Sequence, residues 1–133
     1  MIRKFKGINK QYNSWVFGES VFTPGINYVY INHHLTLIDV IENTVSQYIG
    51  VEDSEGNEIY ENDIVEYTLA HRIDNGEVVT ETYARGTVFF NYETLAFCLR
   101  VIQDNKTYIC SFADLLEGNF KLKVVGNIFD SVS

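Results

Sequence analysis

The sequence predicts a mainly β protein: a small, strongly bent SH3-like barrel with an N-terminal β-hairpin region and one short C-terminal helical turn. Three observations carry this expectation. Nine Tyr, nine Phe and one Trp stand in 133 residues, and aromatic side chains favour half-buried pleated surfaces. Apolar segments are short and separated by recurrent turn signals. No long amphipathic helical repeat runs through the chain. The barrel expectation comes from Asp63-Ile64-Val65 after a tight turn, followed by a long hairpin and the Gly86-Thr87-Val88 segment. The length argues for one domain, divided into an N-terminal β region over 1–46 and a barrel-like region over 47–133.

Taken in order, Ile2–Ile8 has partial strand character through Phe5 and Ile8, and Asn9–Asn13 is a polar turn. Trp15–Phe22 is a second strand, with Gly18 marking a bulge or close packing. Together these two segments predict an N-terminal hairpin. Thr23-Pro24-Gly25 is a turn signal, because Pro presets one turn residue and Gly accepts positive φ. Tyr28–Ile31 is a strand, Asn32-His33-His34 a turn, and Leu35–Ile41 a strand by its β-branched content. Gln47–Val51 is apolar and aromatic. Asp53–Asn57 turns the chain around Gly56, Ile59-Tyr60 is a strand fragment, and Glu61-Asn62-Asp63 is a tight turn with Asn62 suited to the left-handed region. Ile64–Leu69 alternates Ile64, Glu66 and Thr68 against Val65, Tyr67 and Leu69.

Asp74-Asn75-Gly76 is a hairpin signal, joining that strand to Val78–Tyr83, which continues past Gly86 into Thr87–Phe90. Leu95–Ile102 and Tyr108–Cys110 form a hairpin about Gln103–Lys106. Ser111 caps a helical turn that carries Asp114 near its start and ends at Gly118. Leu122–Phe129 closes the chain as a strand interrupted by Gly126.

Charge and motif content exclude several chemistries. Net charge is −8, so long-range attraction to a phosphate backbone is disfavoured, as is nucleic-acid binding through Tyr12, Trp15, Phe17, Phe89, Phe90, Tyr92 or Phe97. No apolar run approaches a membrane span and no apolar leader follows Met1. Cys98 and Cys110 read as reduced core thiols near enough across a turn for a thiol contact. Asp53, Glu55 and Asn57 have the spacing of a calcium loop, but Glu58 occupies the place where that loop needs Gly. His33, His34 and His71 lack zinc-ligand spacing. The acids Glu52, Asp53, Glu55, Glu58, Glu61, Asp63 and Glu66 read as solvated turn residues. No nucleophile elbow or phosphate loop occurs. No catalytic residue, metal or cofactor is expected.

A family resemblance covers nearly the whole chain. Gln47-Tyr48-Ile49-Gly50-Val51, Asp53 to Gly56, and Glu58-Ile59-Tyr60-Glu61-Asn62-Asp63-Ile64-Val65 resemble the central signature of the YopX family of phage and prophage proteins. Arg85 to Phe90, containing Gly86, resembles a further strand of the family, and Val124-Val125-Gly126-Asn127-Ile128-Phe129-Asp130 its closing motif. Asn62 stands where the family usually has Gly, a replacement that keeps positive φ accessible. The resemblance implies one YopX-like domain over 1–133, a β-rich fold, phage or prophage origin and no established enzymatic activity. The motif residues Gln47, Tyr48, Gly50, Gly56, Ile59, Tyr60, Asn62, Asp63, Ile64, Val65, Gly86, Gly126, Asn127 and Ile128 are then structural. The expected role is that of a non-enzymatic accessory protein in the bacterial host cytoplasm, binding a protein partner or assembling as a homo-oligomer. An acidic decoy for a basic nucleic-acid-binding protein and a small hydrolase are the alternatives.

Overall fold

The computed structural model describes residues 4–25, 28–33, 36–72, 78–118 and 120–130. Its strands are β1 (Phe5–Ile8), β2 (Trp15–Gly18), β3 (Ser20–Gly25), β4 (Tyr28–His33), β5 (Thr36–Val40), β6 (Ser46–Glu52), β7 (Glu58–Tyr60), β8 (Asp63–Arg72), β9 (Val78–Asn91), β10 (Ala96–Gln103), β11 (Lys106–Ser111) and β12 (Lys121–Asn127). A 3-10 turn spans Glu42–Thr44, and helix α1 spans Phe112–Glu117. The mainly β class and the short C-terminal helix therefore stand as the sequence predicts. The chain divides into two compact units, residues 1–50 with 129–133 and residues 51–128, and β6 runs across the division.

In the first unit, β1 and β2 form the expected antiparallel hairpin, with Phe5 opposite Gly18 and Ile8 opposite Trp15. On its other side β1 pairs with the start of β6, Phe5 opposite Gln47. Strands β3, β4 and β5 make a separate antiparallel sheet in that order. Ile31 and Val40 are fully buried, with Phe5, Val16, Val21 and Val45 packed around them. Gly18 is required by close approach rather than by φ. A Cβ there would lie 2.2 Å from the Asn32 carbonyl oxygen. Buried Thr44 ties the 3-10 turn to β1: its Oγ1 accepts the Ile8 N–H at 2.9 Å and donates to the Ile41 carbonyl at 2.6 Å.

The second unit is built on a five-stranded antiparallel sheet, ordered β11-β10-β9-β8-β12. Val65, Val88, Leu99, Val101 and Leu122 are buried, together with Phe112 and Leu115 of α1. Tyr67 meets the ring of Phe120 edge-on, with centroids 5.3 Å apart. Helix α1 carries the caps that its sequence predicts. Ser111 Oγ accepts the Asp114 N–H at 3.1 Å, and the Gly118 N–H closes onto the Asp114 carbonyl.

Asn32 and His33, expected to turn, continue β4, the strand expected over Trp15–Phe22 is divided between β2 and β3 at Glu19, and the structure corrects the sequence in five further places. The SH3-like barrel does not close: α1 intervenes between β11 and β12, and β12 pairs with β8 instead of with β11. Thr23, Pro24 and Gly25 belong to β3, where an edge position beside a bulge tolerates Pro. His71 lies in β8, which runs beyond Leu69 to Arg72. The interruption at Gly126 is a register shift within β12 rather than a break, with Val125 displaced between Val124 and Gly126. Cys98 and Cys110 make no thiol pair. Cys110 stands opposite Leu99, which puts Cys98, one residue along β10, on the other face of the sheet. Ile2, His34 and Asp74-Asn75-Gly76 lie outside the described residues.

The tight turn before β8 depends on Asn62, at φ 71°. Asn reaches this region at modest cost, whereas a β-branched side chain meets the preceding backbone. Asn62→Gly is expected to leave the melting temperature unchanged or slightly raised, and Asn62→Val to destabilise by about 1–2 kcal/mol. Thermal unfolding of the three proteins checks this, and equal midpoints would refute the positive-φ argument.

Candidate functional site

Part of the central motif, Asp53 and Tyr60 to Asp63, meets the closing motif at Val124, Asn127 and Ile128 in the second unit. Asp63 begins β8 and is 1 % exposed. Its Oδ2 accepts the Tyr60 N–H at 2.8 Å, and its Oδ1 accepts the Asn127 side-chain amide at 2.9 Å. Beside it, the Asn62 N–H donates to the Val88 carbonyl and the Asn62 carbonyl accepts the Ile128 N–H. One tight turn is thereby fixed to both β9 and the chain after β12. The turn sequence dictates this arrangement. Reversal at Asn62 brings the Asp63 carboxylate back to the N–H of Tyr60, three residues earlier.

Asp53 forms the second junction. It is also buried, and it serves four donors: the N–H groups of Glu55 and Asn57 on Oδ1, and the Asn57 side-chain amide and Val124 N–H on Oδ2. The Ser54 N–H donates to the Leu122 carbonyl at 2.9 Å. The turn around Gly56, at φ +84°, therefore lies along β12 and occupies its outer backbone groups. Burial alone would push the Asp53 carboxyl pKa up, but donation from Val124, Asn57 and Glu55 outweighs it and holds the group below its ordinary value.

The other motif residues have structural surroundings. Ile59 and Val65 are fully buried and Tyr60 nearly so, its hydroxyl donating to Glu58 at 3.1 Å. Ile64 is half-buried opposite Thr87. Gly86 sits between Val65 of β8 and Val101 of β10, and a Cβ on it would lie 2.9 Å from the Arg100 carbonyl oxygen. Gly126 follows the bulge of β12. In the first unit, Gln47 stands opposite Phe5, the Tyr48 N–H donates to the Lys4 carbonyl, and Gly50 has φ +88°.

The family model described as YopX protein matches residues 4–132. The chain belongs to the YopX family. No curated protein matches it. The central and closing segments that distinguish this YopX chain in sequence are the segments joined by Asp53, Asn62 and Asp63 in space.

Sequence reasoning missed the part played by these acids. Asp53 and Asp63 read as solvated turn residues, yet both are buried and satisfied by N–H donors. Because both oxygens of Asp53 face donors, the turn that has calcium-loop spacing does not present that carboxylate to a cation. Among the described residues, no group of three or more His, Cys, Asp or Glu side chains could hold a metal ion. No helix among them is long and apolar enough to cross a membrane. His33 uses its Nδ1 on the Phe17 carbonyl at 2.7 Å. Elsewhere in the second unit, the Tyr67 hydroxyl lies 4.0 Å from Cys110 Sγ, and burial, reinforced by Cys110, pushes its pKa up.

Asp53→Asn would turn an amide N–H₂ toward one of the donors and is expected to destabilise by about 1–3 kcal/mol at neutral pH. Because the folded carboxyl titrates below its unfolded value, this contribution is complete above about pH 4 and is lost as pH falls through the lower folded value. Denaturant unfolding of both proteins across acid pH checks this, the difference between them narrowing as pH falls. A pH-independent difference would overturn the assignment.

Proposed function

We propose that this YopX protein is a non-enzymatic accessory factor of phage or prophage origin, acting in the host cytoplasm by binding another macromolecule or itself. The observation that carries this reading is the loop between β9 and β10. Tyr92 and Leu95 are 82 % and 74 % exposed, and Leu95 holds φ 55°, a conformation that costs a bulky residue energy. Phe90 supports the loop from within, packing edge-on against Tyr92 at 5.0 Å and Phe97 at 5.1 Å. A rigidly backed, exposed Tyr beside an exposed Leu is the kind of anchor that dominates protein interfaces.

The hydrolase alternative gains no support from the buried acids. A general acid at neutral pH needs a raised pKa, and Asp53 is shifted the opposite way. The decoy alternative is weakened because Asp53 and Asp63 are withdrawn from the surface.

The test is affinity capture from host cells with the intact chain and a Tyr92→Ser/Leu95→Ser variant, alongside sedimentation analysis of both. A partner or self-assembly that the intact chain retains and the variant loses is expected. Capture and sedimentation indistinguishable between the two would defeat this reading of the loop.

A further inference from the structure

Strand β12 is held differently from the rest of its sheet. Among the described residues it pairs with β8 alone, at one end of the strand order. The other four strands pair with their neighbours along the chain, β8 with β9, β9 with β10 and β10 with β11. Helix α1 packs on β10 and β11. That ladder and its helix run without β12. Gly118 ends α1, and Lys121 then begins β12.

Two anchors hold the strand. At the first, the Leu122 carbonyl accepts the Ser54 N–H, and the Val124 N–H donates to Asp53 Oδ2, both at 2.9 Å. At the second, the Asn127 amide donates to Asp63 Oδ1 at 2.9 Å, and the Ile128 N–H donates to the Asn62 carbonyl at 3.0 Å. Between the anchors the ladder to β8 shifts register at Val125. An edge strand ordinarily frays from its end, but here the end is an anchor and the interruption lies inside. A carboxylate that loses a donor needs water in its place. Asp53 and Asp63 are both buried. Partial fraying leaves one of them short of a donor, whereas departure of the whole strand lets water reach both.

We propose that β12 is a strap that opens from β8 as one cooperative unit, while β8, β9, β10, β11 and α1 stay folded. The donors within each acid's own turn make the open state accessible. Asp53 keeps the N–H groups of Glu55 and Asn57, and Asp63 keeps that of Tyr60. The Asn62 N–H still holds its turn to the Val88 carbonyl of β9. Both turns therefore persist, and the strap finds its dock intact on return. Opening uncovers the outer main-chain groups of β8, an edge that the closed chain keeps paired.

Native-state hydrogen exchange of the full chain, read by NMR at a series of low denaturant concentrations, tests this. The amides of Ser54, Val124 and Ile128 report the two anchors, and those of Val88 and Leu99 report the inner strands. In the intact protein the three anchor amides are expected to share one opening equilibrium and one denaturant dependence. After correction for intrinsic rates they should exchange about tenfold or more faster than Val88 and Leu99. Asn127→Ala removes the side-chain amide of the second anchor. It is expected to speed exchange about tenfold at Ile128, and by the same factor at Ser54 and Val124. Asp53→Asn reads the coupling in the other direction, its effect reaching Ile128 as strongly as Val124. Acceleration confined to the altered anchor would show independent fraying and overturn the proposal. Anchor amides that exchange no faster than Val88 and Leu99 would also overturn it, since β12 would then leave only when the whole unit unfolds. That last comparison needs the intact protein alone, so it stands even where a variant fails to fold.

Discussion

The second unit depends on a constraint set by burying carboxylates. An ionised carboxylate can leave water only if donors replace its hydration. Asp63 meets that demand with Tyr60 from its own turn and Asn127 from the end of β12. Asp53 meets it with Glu55 and Asn57 locally and Val124 at a distance. Each acid thus joins donors in its own turn to one remote donor: three local bonds for Asp53 and one for Asp63. The local donor shapes a turn, and the remote donor decides where β12 must lie. The register of β12 against β8, with its bulge at Val125, lets both acids be satisfied at once.

Much of the chain was legible because its elements are local. The β1–β2 hairpin, the alternation in β8, the Ser111 cap and the left-handed Asn62 each rest on neighbouring residues, whose preferences act within a few positions. What sequence could not show was remote. Nothing in Asp53-Ser54-Glu55-Gly56-Asn57 indicates that Val124 waits for its carboxylate, so an acid in a polar turn reads as solvated. The barrel expectation failed for the same reason. Closure depends on which strand β12 selects, and its alternation is compatible with several partners. Cys98 and Cys110 were placed near one another by hairpin reasoning, but a shift of one residue decides which face a side chain takes.

The motif also shows how substitution can preserve a backbone requirement. Asn62 keeps the positive φ of its turn and still offers its backbone N–H to Val88 and its carbonyl to Ile128. Gly86 answers a different demand, since its lack of Cβ lets β9 lie close to the Arg100 carbonyl. Conformation in one case and clearance in the other account for two motif positions without any chemistry.

The distances along the chain between these acids and their remote donors bear on synthesis. Asp53 and Val124 are 71 residues apart, and Asp63 and Asn127 are 64 apart. During translation both acids leave the ribosome well before the amides that satisfy them, and pairing over such separations closes late because loop entropy must be overcome first. A nascent chain ending before β12 holds β8 with its outer edge open and two carboxylates kept in water, which opposes burial of Ile59 and Val65 beside them. Emergence of β12 is then the step that commits the second unit to its native sheet, and a chain without β12 would leave β8 open to other pairings.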